Sequence, residues 1–195
     1  EGYAYTGGIV GSAGDSDILS CASTLAVFGS SSQIGGIAGG TSGGSVNYCY
    51  NTAGIYASNS QYVGGIAGEA WNMEINYCIN YSTIISTRHV GGIVGGTNGA
   101  TVSYCANEGN ILADKMFGGI VGVGKTSEIN NSYNSGDMLC LGMGPNNYNV
   151  YAGGIVGYHW HQFTSRVIRN CFNSGEVSAS YGNYLGGIVG YSSRS

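Results

Sequence analysis

Residues 91–111 read Gly-Gly-Ile-Val-Gly-Gly-Thr-Asn-Gly-Ala-Thr-Val-Ser-Tyr-Cys-Ala-Asn-Glu-Gly-Asn-Ile. The opening five-residue box, as Gly-Gly-Ile-Val-Gly or Gly-Gly-Ile-Ala-Gly, also starts at Gly7, Gly35, Gly64, Gly118, Gly153 and Gly186, making seven copies in 195 residues. Successive copies are 28, 29, 27, 27, 35 and 33 residues apart. A recurring period of this size marks a solenoid or a similar array, in which one supersecondary unit stacks on the next.

Aligning the copies on the box exposes the rest of the unit. An aliphatic residue follows at Ile18, Val46, Ile75, Val102, Ile129 and, after a longer gap, Ile168. Three residues on come Cys21, Cys49, Cys78, Cys105, Ser132 and Cys171, and two further on Ser23, Asn51, Asn80, Asn107, Asn134 and Asn173. Another mostly apolar position follows, including Ile55, Ile84, Ile111, Met138 and Val177, and a residue such as Ile34, Val63, Val90, Phe117 or Leu185 leads into the next box. Each repeat thus carries three short β-type segments separated by Gly, Asn, Ser and Thr, none of helical length. The expected fold is all-β: a right-handed parallel β-helix (β-solenoid) of about six coils, with three short strands per coil. It forms a single domain over residues 1–195. Asn in each coil predicts a left-handed corner and an internal amide ladder, ended by Ser23 in the first coil. Both central residues of each box are apolar, which strict alternation does not permit on one buried face. Either a corner falls inside the box or a second layer covers it.

Composition fits this reading. Hydrophobic residues make up 43% of the chain and charged residues 8%, enough apolar surface to fold despite 37 glycines. A net charge of −4 with no run of Lys or Arg lacks the footprint of a nucleic-acid binder. There is no apolar stretch long enough for a membrane span. The last box is followed by only five residues, so a piece of a longer chain with neighbouring domains is expected. Open solenoid ends also predict end-to-end self-association.

Several motifs imitate chemistry. Gly119 to Thr126 matches the phosphate-loop pattern, but Gly119 belongs to a box present six other times, and a strand is expected after Thr126 rather than a helix. Five of the six cysteines share one repeat position, which points to a buried thiol column rather than a disulfide framework, although strand spacing also permits adjacent-coil bridges such as Cys49–Cys78; Cys140 is read as lying off that column, in an insertion. Asp15 and Asp17 occur once, whereas calcium-binding β-rolls need an Asp in every copy. Acidic residues such as Asp114, Glu128 and Asp137 recur at no ladder position, which argues against the paired carboxylates of a β-helix polysaccharide lyase or hydrolase. No enzymatic activity, metal or cofactor is expected.

Departures from the period are where recognition should reside. The segment after the sixth box is lengthened from Tyr158 to Arg166 and holds His159, Trp160 and His161, read as a solvated loop. A second insertion from Leu139 to Tyr151 holds Tyr148 and Tyr151. Trp71 occupies the matching segment of the third copy, placing Trp71 and Trp160 on one edge, roughly 14 Å apart at strand spacing. These six residues (Trp71, Tyr148, Tyr151, His159, Trp160 and His161) are the candidate ligand-binding set, with loop aromatics suited to a sugar or to a partner's pocket. Tyr48, Tyr77 and Tyr104 form another column, read as scaffold packing.

The alternation of the box with Ile-x-x-Cys-x-Asn-x-Gly-x-(Ile or Val), clearest over Gly91 to Ile111, resembles the GLUG-type repeats of bacterial surface proteins. These repeats are found in adhesin-like proteins and beside the catalytic region of immunoglobulin A1 metalloproteases. The resemblance spans Gly7 to Gly190. It implies an extracellular or cell-surface bacterial β-solenoid and leaves ligand and activity open; the expectation is a non-catalytic structural or adhesion module, with a host or cell-surface glycan or protein as the candidate partner. The metalloprotease motif His-Glu-x-x-His is absent, so no peptidase activity is implied.

Overall fold

The structure, a computed structural model, describes residues 4–30, 32–141, 149–161, 167–179 and 184–194. The chain winds through five parallel sheets in fixed order. One coil shows the plan: Tyr62–Gly64 in sheet one, Ala67–Trp71 in sheet two, Glu74–Asn76 in sheet three, Ile79–Asn80 in sheet four and Ile84–Ile85 in sheet five. Each strand pairs in parallel with its equivalents one coil before and after, so that Asn51, Asn80 and Asn107 stand in register. Sheets one and two hold seven strands and the other three hold six. Six strands make five steps from first to last, a little short of the six coils expected. Among the described residues no helix is long and apolar enough to cross a membrane.

The coil has five strands, not three, because two of the expected segments are broken by corners. The first corner falls inside the box, between Gly35 at the end of sheet one and Ala38 at the start of sheet two. This accounts for the two apolar rows. Ile37 sits on the bend, and both Ile37 and Ala38 point inward with no exposure. The second corner separates sheets three and four at Ser20, Tyr48, Tyr77, Tyr104, Asn131 and Asn170, every one with positive φ between 48° and 56°. The Asn column is therefore not the left-handed corner; it lies three residues further on, within sheet four.

Tyrosine at positive φ is strained. Here its ring projects outward, about half exposed. Tyr48 stacks on Tyr77 and Tyr77 on Tyr104, each pair 5.0 Å apart at 4° and 7° between planes. This column packs on itself at the surface rather than on the core.

The interior is divided into two apolar strips. One gathers Ile37, Ile66, Ile93 and Ile120 with Val46, Ile75, Val102 and the cysteine column. The other gathers Ile34, Val63, Val90 and Phe117 with Ile55, Ile84 and Ile111. The asparagines run between them, at the bend of the box. Asn51 Nδ2 donates to Asn80 Oδ1 at 3.0 Å, Asn80 to Asn107 at 2.8 Å, Asn107 to Asn134 at 2.6 Å and Asn134 to Asn173 at 2.8 Å. The second amide hydrogen of each satisfies a carbonyl two residues ahead, for example Asn107 to Gly109 at 2.8 Å. Asn51, Asn80, Asn107 and Asn134 are wholly buried, and this pairing offsets their desolvation. The second glycine of each box explains itself here. A methyl group on Gly92 would collide with the Asn107 side chain and the Gly119 carbonyl, so the backbone reaches the amide only without a Cβ.

All six cysteines are free thiols. Cys140 lies off the cysteine column, as expected, but not in an insertion: it is the last residue of the sheet-five strand Met138–Cys140, buried and in register with Ala113 and Ala179. At the rod's ends the rungs lose their cover. Ile9 is 51% exposed and Ile188 37%, whereas Ile37, Ile66, Ile93, Ile120 and Ile155 are all fully buried.

Candidate functional site

Of the candidate residues, Trp71, Trp160 and Tyr151 lie on the outer faces of sheets one and two. Register places Ser42, Trp71, Asn98, Lys125, Trp160 and Ser193 in a single outward column of sheet two. Trp71 and Trp160 are three strands apart in it, as their spacing predicts. Trp71 is 46% exposed. Trp160 is half-buried beneath Lys125, whose Nζ lies 4.7 Å from the ring centre. That contact is where the apparent phosphate-loop lysine points. Its backbone belongs to the strand Val121–Lys125, and the chain passes through a left-handed corner at Thr126 into the strand Glu128–Asn130.

His159 and His161 do not form a solvated loop. The sheet-two strand runs on through them, as Val156–His161. His159 points inward and is buried, its Nε2 3.3 Å from the Ser127 carbonyl, because sheet two turns alternate side chains into the core. Burial holds its imidazole below the usual range; the Ser127 hydrogen bond opposes this and the neighbouring His161 adds to it. The two rings are 5.8 Å apart. Among the described residues no third His, Cys, Asp or Glu joins them to make a metal-ligand group.

Tyr151 opens the sheet-one strand Tyr151–Gly153 and stacks on Tyr184 at 5.1 Å. Tyr158 stacks on Tyr191 at 5.6 Å, and Tyr151 meets both edge-on or tilted, so four tyrosines close the outer face near the last coils. Tyr148 lies outside the described residues.

Sheet one contributes an outward column that the repeat pattern does not reveal, because its residues vary: Tyr5, Gln33, Tyr62, His89, Met116, Tyr151 and Tyr184. Tyr5, Gln33, Tyr62 and Tyr151 lean over the outward residue of sheet two one coil later. Tyr5 covers Gly40, Tyr62 covers Gly96, and a methyl group on either glycine would strike the ring. Gln33 lies over Glu69, and its Nε2 donates to Glu69 Oε2 at 3.0 Å. His89 packs against Tyr62 with ring centres 5.0 Å apart. Burial, then the charges of Arg88 and Lys115, hold its imidazole down to about 4, so it is neutral at physiological pH.

Where Gly40 stands between larger neighbours, this face opens into a groove of about 470 Å³ lined by Tyr5, Gln33, Thr41, Tyr62, Glu69 and Trp71 among others. Towards the other end Val123, Tyr158 and Tyr191 fill the equivalent positions and the face is closed. Trp71 is the one residue that belongs both to the groove and to the set read from sequence. No family model matches this chain, and no curated protein matches it.

Proposed function

We propose that this chain is a non-catalytic structural and adhesion module of a bacterial cell-surface or secreted protein, of the GLUG-type repeat kind. The observation that carries this reading is the contrast between an invariant, ladder-bonded interior and outward columns of aromatic residues held at strand spacing. A rigid rod that exposes Trp71, Tyr48, Tyr77 and Tyr104 displays large, amphipathic side chains of low entropy, the kind that anchor recognition. Buried thiols are compatible with an oxidising exterior. Hydrogen bonding with the Cys78 thiol, then burial, pushes Cys49 well up, and the Cys105 thiol with burial does the same for Cys78, which suppresses the thiolate that exchange requires.

Attachment of fluorescently labelled protein to intact bacterial and epithelial cells tests this reading. The paired substitution Trp71→Ala and Trp160→Ala should reduce attachment at least about tenfold, the loss of one or two buried aromatic anchors. Attachment by neither cell type, or attachment indifferent to both substitutions, would sink it.

A second reading, a carbohydrate-binding module, is favoured by the shared column of Trp71 and Trp160, whose rings lie along the rod axis as an extended glycan would.

A further inference from the structure

We infer that the groove between Tyr5 and Tyr62 is a binding subsite for a neutral oligosaccharide running along the rod axis. The proposal rests on the carbohydrate-binding reading and gives it a place and a ligand class. Its size, about 470 Å³, falls within the ~300–1,000 Å³ span of small-molecule sites.

The register supplies the geometry. Tyr5, Gln33 and Tyr62 are successive members of one outward column, so the two tyrosines are two strands apart, about 9.6 Å at ~4.8 Å per strand. One strand step is close to the length of one pyranose unit. The two tyrosines therefore meet alternate sugar units, each ring offering an apolar face to the C–H face of a pyranose. The unit between them meets polar groups instead. Gln33 lies down onto Glu69 rather than standing up between the rings, and its amide is fixed by that 3.0 Å bond. Only 2% of Gln33 is exposed, so it forms the floor. The Glu69 carboxylate is an acceptor with more than one lone-pair site, matched to sugar hydroxyl donors. Gly40, with no side chain, lets the Tyr5 ring settle against the backbone beside this floor. Trp71, at the end of the Glu69 strand, walls the sheet-two side.

The charge of the site selects the ligand. Glu69 faces the groove and neither Lys nor Arg lines it, so a uronic acid, sialic acid or sulfated unit meets an uncompensated like charge. The cationic pair Arg88 and Lys115 begins beyond Tyr62, outside the groove. A Tyr5 ring that is 40% exposed, a partly buried Tyr62 ring held over Gly96, and a preformed amide–carboxylate pair bind with little reorganisation, as a shallow glycan site requires.

Calorimetric titration with neutral hexasaccharides of gluco, manno and galacto configuration, beside the acidic hexagalacturonate, tests the assignment. Wild-type protein should bind at least one neutral probe and not the acidic one. Tyr62→Ala and Tyr5→Ala should each weaken that binding at least tenfold with the thermal transition retained; Tyr5, on the first strand, is the variant with least effect on folding. Glu69→Gln keeps an acceptor for Gln33 and should narrow the gap between neutral and acidic probes. Failure of every neutral probe at millimolar concentration overturns the subsite, and if cell attachment persists, the adhesion reading stands without it. Saccharide binding lost in Trp160→Ala but unchanged in Tyr5→Ala and Tyr62→Ala also overturns the subsite, while leaving carbohydrate recognition in place along the tryptophan column.

Discussion

Two interior columns run side by side through this rod and work differently. The cysteine column and the asparagine column are two residues apart in every coil, both buried and both polar to some degree. Each thiol has its nearest partner in its own coil: Cys49, Cys78 and Cys105 donate to carbonyls two residues back, all at 3.3 Å. The asparagines are bonded across coils, each amide satisfying the next. The thiols' longer contacts to the preceding coil go to backbone carbonyls, at 3.6 Å for Cys49, 3.5 Å for Cys78 and 3.6 Å for Cys105, so the first column is tied mainly to backbone, whereas the second is a chain interlocked side chain to side chain. Ser132 shows the difference, since it replaces a cysteine and makes the same local bond, Oγ to the Asn130 carbonyl at 2.8 Å. The asparagine column admits a substitute only at Ser23, where the ladder ends.

Three substitutions probe that contrast. The largest effect is expected from Gly92→Ala, because the new methyl group meets the Asn107 side chain and backbone of the next coil, neither free to move. A loss of at least about 5 kcal/mol, read from the urea midpoint, or failure to fold is expected. A loss below about 1 kcal/mol would show that the bend is far more compliant than its contacts imply.

Asn107→Ala removes one rung and strands the Asn80 amide hydrogen, the Asn134 Oδ1 and the Gly109 carbonyl. The expected cost is about 3 kcal/mol, the penalty of leaving buried polar groups unpaired. A double-mutant cycle with Asn134→Ala should show strong coupling, and additivity would argue against an interlocked ladder.

Cys78→Ser is the smallest, within about 1 kcal/mol, since Ser132 already occupies the equivalent site. Native-state labelling sharpens the same point. Cys21 in the first coil should react with a soluble disulfide reagent well before Cys49 and Cys78, whose thiols are more deeply buried. Equal rates across the three would mean that the coils open together.

Much of this was legible in the chain. The box, the Cys position and the Asn position recur because stacked parallel strands confront like with like, so any residue with an interior role must repeat at each turn. The cysteine column, the amide ladder and the shared edge of Trp71 and Trp160 follow from spacing alone; that the thiols are free does not, because strand spacing also permits bridges between adjacent coils. Strand number was less legible. The bend within the box was one of two alternatives that its paired apolar residues left open, whereas the left-handed corner at Tyr77 carries no breaker in the sequence, since tyrosine is an unexpected residue for positive φ. His159 looked like part of an insertion because its neighbours break the period, yet the strand runs through it.

The groove was not legible at all. Gln33, Glu69, Tyr5 and Tyr62 occupy outward positions that vary from coil to coil, so no column of identities marks them. What joins them is the offset by which sheet one leans on sheet two of the following coil, and that offset is set where the glycine-rich bend lets the two backbones close together. Periodicity determined the solenoid, its parallel register and its interior ladders, because burial repeats the same demand at every coil. Only the tertiary structure decided which outward side chains meet across neighbouring sheets, because solvent makes no such repeated demand and their contacts depend on the angle of the bend.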